Sequence, residues 1–362
     1  MATKRPTIAV ICFSHYFGGM EMDSYRYAKL LSRGYNIVLI VKKNSFISKN
    51  YKESARKYNI KIKEIPFFLN FSFSIITRTR HILKKYKISN VIFFGASELR
   101  SLYFAFHKLN INLIIRHGTT KTRSKKDALH KLIYSNVNWH IPICKHIAEN
   151  VMKIIPFGKN TQMKVVYPSL RRPLPSRLNH ISSDNREIRI IHIARITGGK
   201  GQLDAIEACN TLYENSIDFS LTLYGEVDPD FKLRLENKIN STPYRDRITL
   251  PGYVEDVEKC YLNADIFLFP SKGEGLSSSF IEALSYGLIC IAYNNTSFPE
   301  LQNMGFRFYL ANDQDIGDLK RILLIAASSD EILNLPLNNN FELSKKLFND
   351  EREFDELSEL FI

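Results

Sequence analysis

The sequence predicts an α/β protein made of two successive units, each a parallel sheet with helices packed against it. Three observations carry this reading. Short continuous apolar runs recur along the chain, and several are followed by a polar loop and then by apolar residues at helical spacing, as expected for strands buried on both faces. Midway, Tyr-Pro-Ser-Leu-Arg-Arg-Pro-Leu-Pro from Tyr167 and the polar run to Glu187 interrupt the pattern and read as a stiff linker. The charge divides at the same place: residues 1–180 hold 33 Lys and Arg against 7 Asp and Glu, and residues 181–362 hold 17 against 30, so +26 is followed by −13. The boundaries are placed at 1–170, a linker at 171–187, a second unit at 188–340 and a terminal helical stretch at 341–362.

At 362 residues the chain is long enough for two ordinary domains, and 44% hydrophobic with 24% charged residues is the composition of a folded soluble protein. No apolar run approaches the roughly 18 residues that span a bilayer, and Ile8 to Phe13 is too short for a signal-peptide core, so a cytoplasmic location is expected. The five cysteines are scattered and lack a C-x-x-C pair, which fits reduced structural thiols and argues against zinc.

In the first unit, Thr7 to Phe13 reads as a strand, Ser14 to Asp23 as a loop holding Gly18-Gly19, and Tyr25, Ala28 and Leu31 as a helix face before a second strand at Ile37 to Val41. This opening is Rossmann-like but lacks G-x-G-x-x-G, so a dinucleotide is not indicated, and Gly-Gly by itself is also an ordinary tight turn. Lys42 to Lys63 is basic, and the aromatic stretch Pro66 to Ile76 precedes Arg78, Arg80, Lys84, Lys85 and Lys87. Basic residues around an apolar patch suit an anionic membrane surface, and core packing explains the phenylalanines as well. The charge asymmetry favours the membrane. Nucleic acid competes for the same charge, but no nucleic-acid motif supports it. Further strands are expected at Val91 to Phe94, Leu113 to Ile115 and Trp139 to Cys144, with a helix from Lys145 and a last short strand at Val165 to Val166. Arg116-His117-Gly118-Thr119 ends the Leu113 strand. His117 there either serves a site or only caps the strand, and Lys121, Arg123, Lys125 and Lys126 follow as a basic loop.

In the second unit a strand at Ile188 to Ala194 leads into Arg195-Ile-Thr-Gly-Gly-Lys200-Gly201 and a helix from Gln202; Gly-x4-Gly-Lys-Ser/Thr is absent, which excludes a P-loop. Phe219 to Tyr224 ends in Gly225-Glu226, and Asp228-Pro-Asp230 reads as a turn rather than a metal site. Ile248 to Leu250 precedes Pro251-Gly252-Tyr253-Val254, and Asp256 to Ala264 reads as a helix. The strand Ile266 to Phe269 stops at Pro270 and Gly273, a loop holds Glu274 and Gly275, and Leu276 to Tyr286 is helical with Gly287 as its stop. Leu288 to Ala292 is the next strand, with a turn at Phe298-Pro299-Glu300-Leu301. A strand–loop–helix junction at the carboxyl end of a parallel sheet offers free N–H groups and positive dipole to an anion, of which phosphate is the natural example. Glu274 and Glu282 beside a phosphate would repel it unless they bind something neutral, and sugar hydroxyls are neutral donors. The combination suggests a nucleotide sugar. Two solvated glutamates are the alternative.

The stretch from Glu274 to Gly287, Glu-Gly-Leu-Ser-Ser-Ser-Phe-Ile-Glu-Ala-Leu-Ser-Tyr-Gly, resembles the E-x7-E signature of retaining GT-B glycosyltransferases of family four. Gly18-Gly19, His117, Arg195 with Lys200, and Glu274 with Glu282 stand in the order of that family's elements. The resemblance implies two Rossmann-like β/α/β domains facing across a cleft, an acceptor-binding first domain, a nucleotide-sugar-binding second domain and a last helix crossing back to the first. It also implies roles: Gly18 and Gly19 near the diphosphate or the acceptor, His117 at the reaction centre, Arg195 and Lys200 on the diphosphate, and Gly225, Tyr253 and Val254 around the base. Gly275, Leu276 and Ser277 fall at the phosphate-facing helix end, Glu274 on the donor sugar and Glu282 on the ribose. The implied partners are a nucleoside-diphosphate sugar and a glycan or lipid-linked glycan acceptor, with no metal or other cofactor; the charge split and the aromatic stretch add an anionic membrane on the cytoplasmic side, and nucleic acid is not expected. A sugar-nucleotide epimerase of the same fold is the enzymatic rival. Leu-Ser-Ser-Ser after Glu274-Gly275 departs from the Phe-Gly and apolar residues of many relatives and leaves the donor sugar open.

Overall fold

The computed structural model describes residues 5–15, 18–175, 187–327 and 337–362. The chain forms two compact units, one of residues up to 168 together with 350–362, the other of residues 169–349. Most of the expected linker at 171–187 lies outside the described residues.

The first unit holds seven parallel strands: β1 (Thr7–Cys12), β2 (Asn36–Lys42), β3 (Lys61–Ile65), β4 (Asn90–Phe94), β5 (Asn112–His117), β6 (Val137–Pro142) and β7 (Gln162–Met163), in the order β3-β2-β1-β4-β5-β6-β7. The second holds six: β8 (Ile188–Ile193), β9 (Phe219–Tyr224), β10 (Ile248–Gly252), β11 (Ile266–Phe269), β12 (Ile289–Tyr293) and β13 (Tyr309–Ala311), also all parallel, in the order β10-β9-β8-β11-β12-β13. Each sheet starts in its middle, grows to one side and then crosses to the other. The direction reverses between β1 and β4 and between β8 and β11, and the carboxyl ends of such strand pairs are where open α/β sheets bind ligands. The α/β class with two Rossmann-like units is therefore as the sequence predicts.

Burial explains the strand choice. Ile8 to Cys12 and Ile266 to Phe269 are wholly buried, and only a strand covered by helices on both faces has use for so continuous an apolar run. In the second unit, Ala205, Ile206, Cys209 and Leu212 of the helix Gln202–Glu214 join Leu221, Leu223, Ile266, Leu268 and Ile291 in one core. Tyr27, Ala28 and Leu31 of the helix Gly19–Leu31 do the same against Ile8, Val10, Leu39 and Ile92.

Several elements differ from the sequence reading. The helix after β1 opens at Gly19, so the loop is shorter than Ser14 to Asp23. The expected strand at 165–166 is replaced by β7, although Val166 N still bonds to Pro142 O. Asp228 starts a helix, Pro229–Asn240, by accepting from Asp230 N at 3.0 Å, and Phe298–Asn303 is helical rather than a turn. The terminal stretch is two helices. Leu337–Leu347 belongs to the second unit, and Asp350–Ser358 belongs to the first. Asn349 ends the former by donating to Lys345 O and Lys346 O, both at 3.0 Å. Glu353 in the latter is fully buried against Arg26, and Asn112 Nδ2 donates to Leu360 O at 2.7 Å.

The aromatic stretch divides in the same way. Phe67 is buried edge-on against Phe13 at 5.3 Å, whereas Phe68, Leu69, Phe71 and Phe73 are 99%, 74%, 58% and 79% exposed. Phe67 is therefore core and not part of any surface patch. No helix among the described residues is long and apolar enough to cross a membrane.

Candidate functional site

The site in the second unit is built where β8 and β11 end side by side. Gly201, at φ +82°, lets the loop after β8 pass over Pro270: a Cβ there would stand 1.9 Å from Pro270 O. Lys272 N then donates to Gly199 O at 3.0 Å, and Ser271 Oγ reaches the same carbonyl at 3.2 Å, so the two loops form one surface. Asn295 Nδ2, just beyond β12, holds Ser271 O at 3.1 Å.

Lys200 and Glu274 meet directly on this surface, with Lys200 Nζ 2.6 Å from Glu274 Oε1. Ser271 Oγ donates to the same oxygen at 2.8 Å, and Glu274 N donates to Thr296 Oγ1 at 3.1 Å. Glu274 Oε2 has no hydrogen bond among the described residues. Beneath the lysine, His192 is wholly buried and its Nε2–H donates to Lys200 O at 2.8 Å. Burial holds that imidazole down to about 4, so it is neutral at neutral pH and fixes the backbone of Lys200 rather than adding charge. Arg195 lies on the same loop with an exposed side chain; its carbonyl accepts from Gln202 Nε2 at 3.0 Å, and its guanidinium has no partner among the described residues.

Glu282 lies inside the helix Ser278–Ser285, whose cap is Ser277 Oγ accepting from Phe280 N at 3.3 Å. Glu282 is 3% exposed. Oε2 is held by Arg172 Nη1 at 3.1 Å and by Tyr261 OH at 3.2 Å, whereas Oε1 is buried without a partner. Burial raises its pKa above the usual carboxylate range against the opposing pull of Arg172. A half-satisfied buried carboxylate is costly and invites a donor.

At the ends of β9 and β10, Gly225 N donates to Gly252 O at 2.9 Å, which sets Gly225 beside the turn carrying Tyr253 and Val254. Tyr253 is 68% exposed and Val254 half-buried. Gly225, at φ +143°, passes so close to Ala194 O that a Cβ would be 1.8 Å from it. Gly275 and Leu276 lie half-buried between Glu274 and the Ser277 cap.

In the first unit, Gly18 and Gly19 follow β1, and His117 closes β5, with β4 between those two strands. His117 is inside the strand rather than in a loop and is 2% exposed. Its Nε2 lies 2.9 Å from His140 Nδ1, and His117 Nδ1 and His140 Nε2 are buried without partners. Burial first, then Lys121, pushes both rings far below the ordinary histidine value, His140 to about 3, so the pair is neutral. Sequence reading missed Arg172, Tyr261, Ser271, Thr296 and His140, none of which has a local pattern to betray its contact. Among the described residues no three His, Cys, Asp or Glu come together to hold a metal ion.

Residues 178–342 match the family model for glycosyl transferases group 1. That stretch makes up most of the second unit. The chain is similar to the amylovoran biosynthesis glycosyltransferase AmsK of Erwinia amylovora, at 31% identity over 148 residues, 39% of this chain and 36% of that protein. The chain thus matches little more than a third of that curated relative's length. The whole chain shares its fold with the lipopolysaccharide outer core galactosyltransferase WaaB, at TM-score 0.75 and 18% identity over 98% of both chains. It does so too with Anabaena Alr3699/HepE, solved in complex with UDP-glucose, at TM-score 0.78 and 14% identity over 98% of both. The Lys200–Glu274 surface of the second unit lies at the strand ends where open α/β sheets take ligands.

Proposed function

We propose that the protein is a retaining glycosyltransferase that moves a hexosyl group from a UDP- or GDP-linked sugar to a hydroxyl of a glycan or lipid-linked glycan, in assembly of a cell-surface polysaccharide or lipopolysaccharide. The observation that carries this is the pairing, at one strand switch, of Lys200, whose backbone a buried histidine fixes, with Glu274, while a second carboxylate, Glu282, lies buried and half-satisfied in the helix that follows. Lys200 and the exposed Arg195 suit a dianionic diphosphate that gains charge as it leaves. Glu282 Oε1, buried and unpaired, suits a ribose hydroxyl, and Glu274 a hydroxyl of the donor sugar. The exposed Tyr253 turn suits the base, and the helix end at Gly275, Leu276 and Ser277 suits the phosphates.

In the reaction the bond from the anomeric carbon to the phosphate oxygen breaks, and a bond to the acceptor oxygen forms on the same face. The acceptor's proton passes to the departing diphosphate. Diphosphate neutralisation falls to Arg195 and Lys200, and the reading calls for no metal or other cofactor. Gly18-Gly19 is assigned to the diphosphate or the acceptor, and His117, being neutral, to hydrogen bonding near the anomeric carbon rather than to proton transfer. The support from relatives is that AmsK is described for amylovoran biosynthesis, WaaB for the lipopolysaccharide outer core and HepE as binding UDP-glucose. An anionic membrane on the cytoplasmic side is the proposed working surface.

Release of nucleoside diphosphate from a donor panel, measured with and without a lipid-linked glycan acceptor, tests the proposal. Release that depends on acceptor supports transfer. Interconversion of the donor sugar without acceptor would instead indicate an epimerase.

A further inference from the structure

The loop between β5 and the helix Ala128–Tyr134 carries a cluster of cations that the proposed donor chemistry does not use. The loop is fixed in place: Lys121 N donates to Asn150 Oδ1 and Asn150 Nδ2 to Lys121 O, both at 2.9 Å, and Lys125 N donates to Ile154 O at 2.8 Å. Asn150 and Ile154 belong to the helix Lys145–Ile154. Lys121 and Lys125 are both partly buried, the latter with its ammonium 5.9 Å from the ring centre of Tyr134, and neither makes an ion pair or a side-chain hydrogen bond to an acceptor among the described residues. Arg100, in the helix that follows β4, adds its charge to that of Lys125. Glu98, a half-buried carboxylate, acts on Lys125 in the opposite sense but is outweighed by burial and Arg100.

Burial and the neighbouring charge of Lys125 hold the Lys121 amine down to about 8. Holding like charges together out of water is unfavourable, and the cost is recovered when an anion enters. Both lysines act on His117, which closes β5 on the ligand-binding side of the sheet, and Lys121 acts on His140 as well. Ammonium groups are compact point charges that bind phosphate well, whereas a carboxylate is best matched by the planar fork of Arg.

We propose that Lys121 and Lys125, with Arg100 at the rim, form a binding site for a phosphate group carried by the acceptor. Calling the ligand the acceptor rests on the glycosyl-transfer reading; the phosphate site itself does not.

The test is calorimetric titration of the full chain with glycerol 1-phosphate and, separately, glucuronate, in a Lys200→Ala background so that the second unit's lysine takes no part. Lys121→Gln and Lys125→Gln should each weaken glycerol phosphate binding about tenfold or more, the loss of one charge-assisted contact, while Lys126→Gln on the same loop should not. At pH 8 binding should also take up protons, seen as a heat that varies with the buffer's ionisation enthalpy, and Lys121→Gln should abolish that uptake. A merely structural lysine would leave proton uptake unchanged. Absence of phosphate binding, binding as tight as in the parent protein by both Gln variants, or preference for glucuronate would overturn the proposal. Titration of the wild type with UDP, read alongside, shows whether the donor reading stands independently of that result.

Discussion

Replacing Glu282 with Gln separates a ligand carboxylate from a structural one. In the free protein Oε2 is paired with Arg172 and Tyr261, and Oε1 is buried with nothing to accept from. Gln keeps the shape and an oxygen for Tyr261, while removing a buried charge whose partner, Arg172, is 40% exposed in its side chain and can be solvated. Removing one partner of a pair costs most when the other charge is left buried; Arg172 stays solvated, so a change within about 1 kcal/mol is expected. Hydrogen bonds to charged groups contribute about 1.5–3 kcal/mol, so loss of the ribose contact should weaken nucleoside diphosphate binding roughly 10- to 100-fold. The sign with pH follows from burial. Glu282 is raised above its ordinary 4.5, so its contribution to stability is present below that value and lost as pH rises through the folded-state value, and the Gln variant should gain on the wild type over that rise. Calorimetric titration with UDP and GDP, paired with urea unfolding, reads both quantities. Unchanged affinity together with a loss of several kcal/mol in stability would refute the ribose assignment and make Glu282 a structural anchor for Arg172.

Other outcomes follow from the same geometry. Arg195→Ala and Lys200→Ala should each lower kcat by roughly 10²-fold with folding intact, as for other losses of an electrostatic transition-state contact, and full activity in both would remove the diphosphate assignment. His117, His140 and His192 are buried and neutral, so the unfolded chain binds more protons below the ordinary 6.5. Their stability is present above 6.5 and should be lost as pH falls toward 4, seen as a falling urea midpoint, and His140→Asn should flatten that slope. Co-sedimentation with anionic vesicles should fall as salt rises and drop when Phe68, Leu69, Phe71 and Phe73 become Ser, while Phe67→Ser should cost stability instead. Indifference to anionic lipid at low salt, or tighter binding to duplex DNA, would contradict the membrane assignment.

What could be read in advance was what the chain encodes locally. The run Ile266 to Phe269 with its stop at Pro270 gave β11 to the residue, because burial on both faces leaves an unbroken apolar signature, and the helical spacing from Leu276 to Tyr286 gave the helix Ser278–Ser285 within two residues at each end. By contrast, β3 is Lys-Ile-Lys-Glu-Ile on the sheet's edge, where half-exposed charged positions erase the pattern, and β13 has only three residues. The split between buried Phe67 and exposed Phe68 depends on where the chain bends after β3, which composition does not carry. Arg172 and Glu282 stand 110 positions apart and His117 and His140 stand 23 apart, so those contacts exist only once the sheets are formed.

The most direct measurement is thermal unfolding of the full chain against UDP-, GDP- and ADP-sugars, with Lys200→Ala and Glu282→Gln run alongside. A ligand present at 100 times its Kd should stabilise the protein by about 2.7 kcal/mol, so a binding donor raises Tm by an amount well outside error. The account expects UDP- or GDP-sugars to raise Tm in the wild type and both variants to lose most of the shift. No shift with any nucleotide sugar, or an equal shift in the wild type and both variants, would contradict a donor site at the ends of β8 and β11.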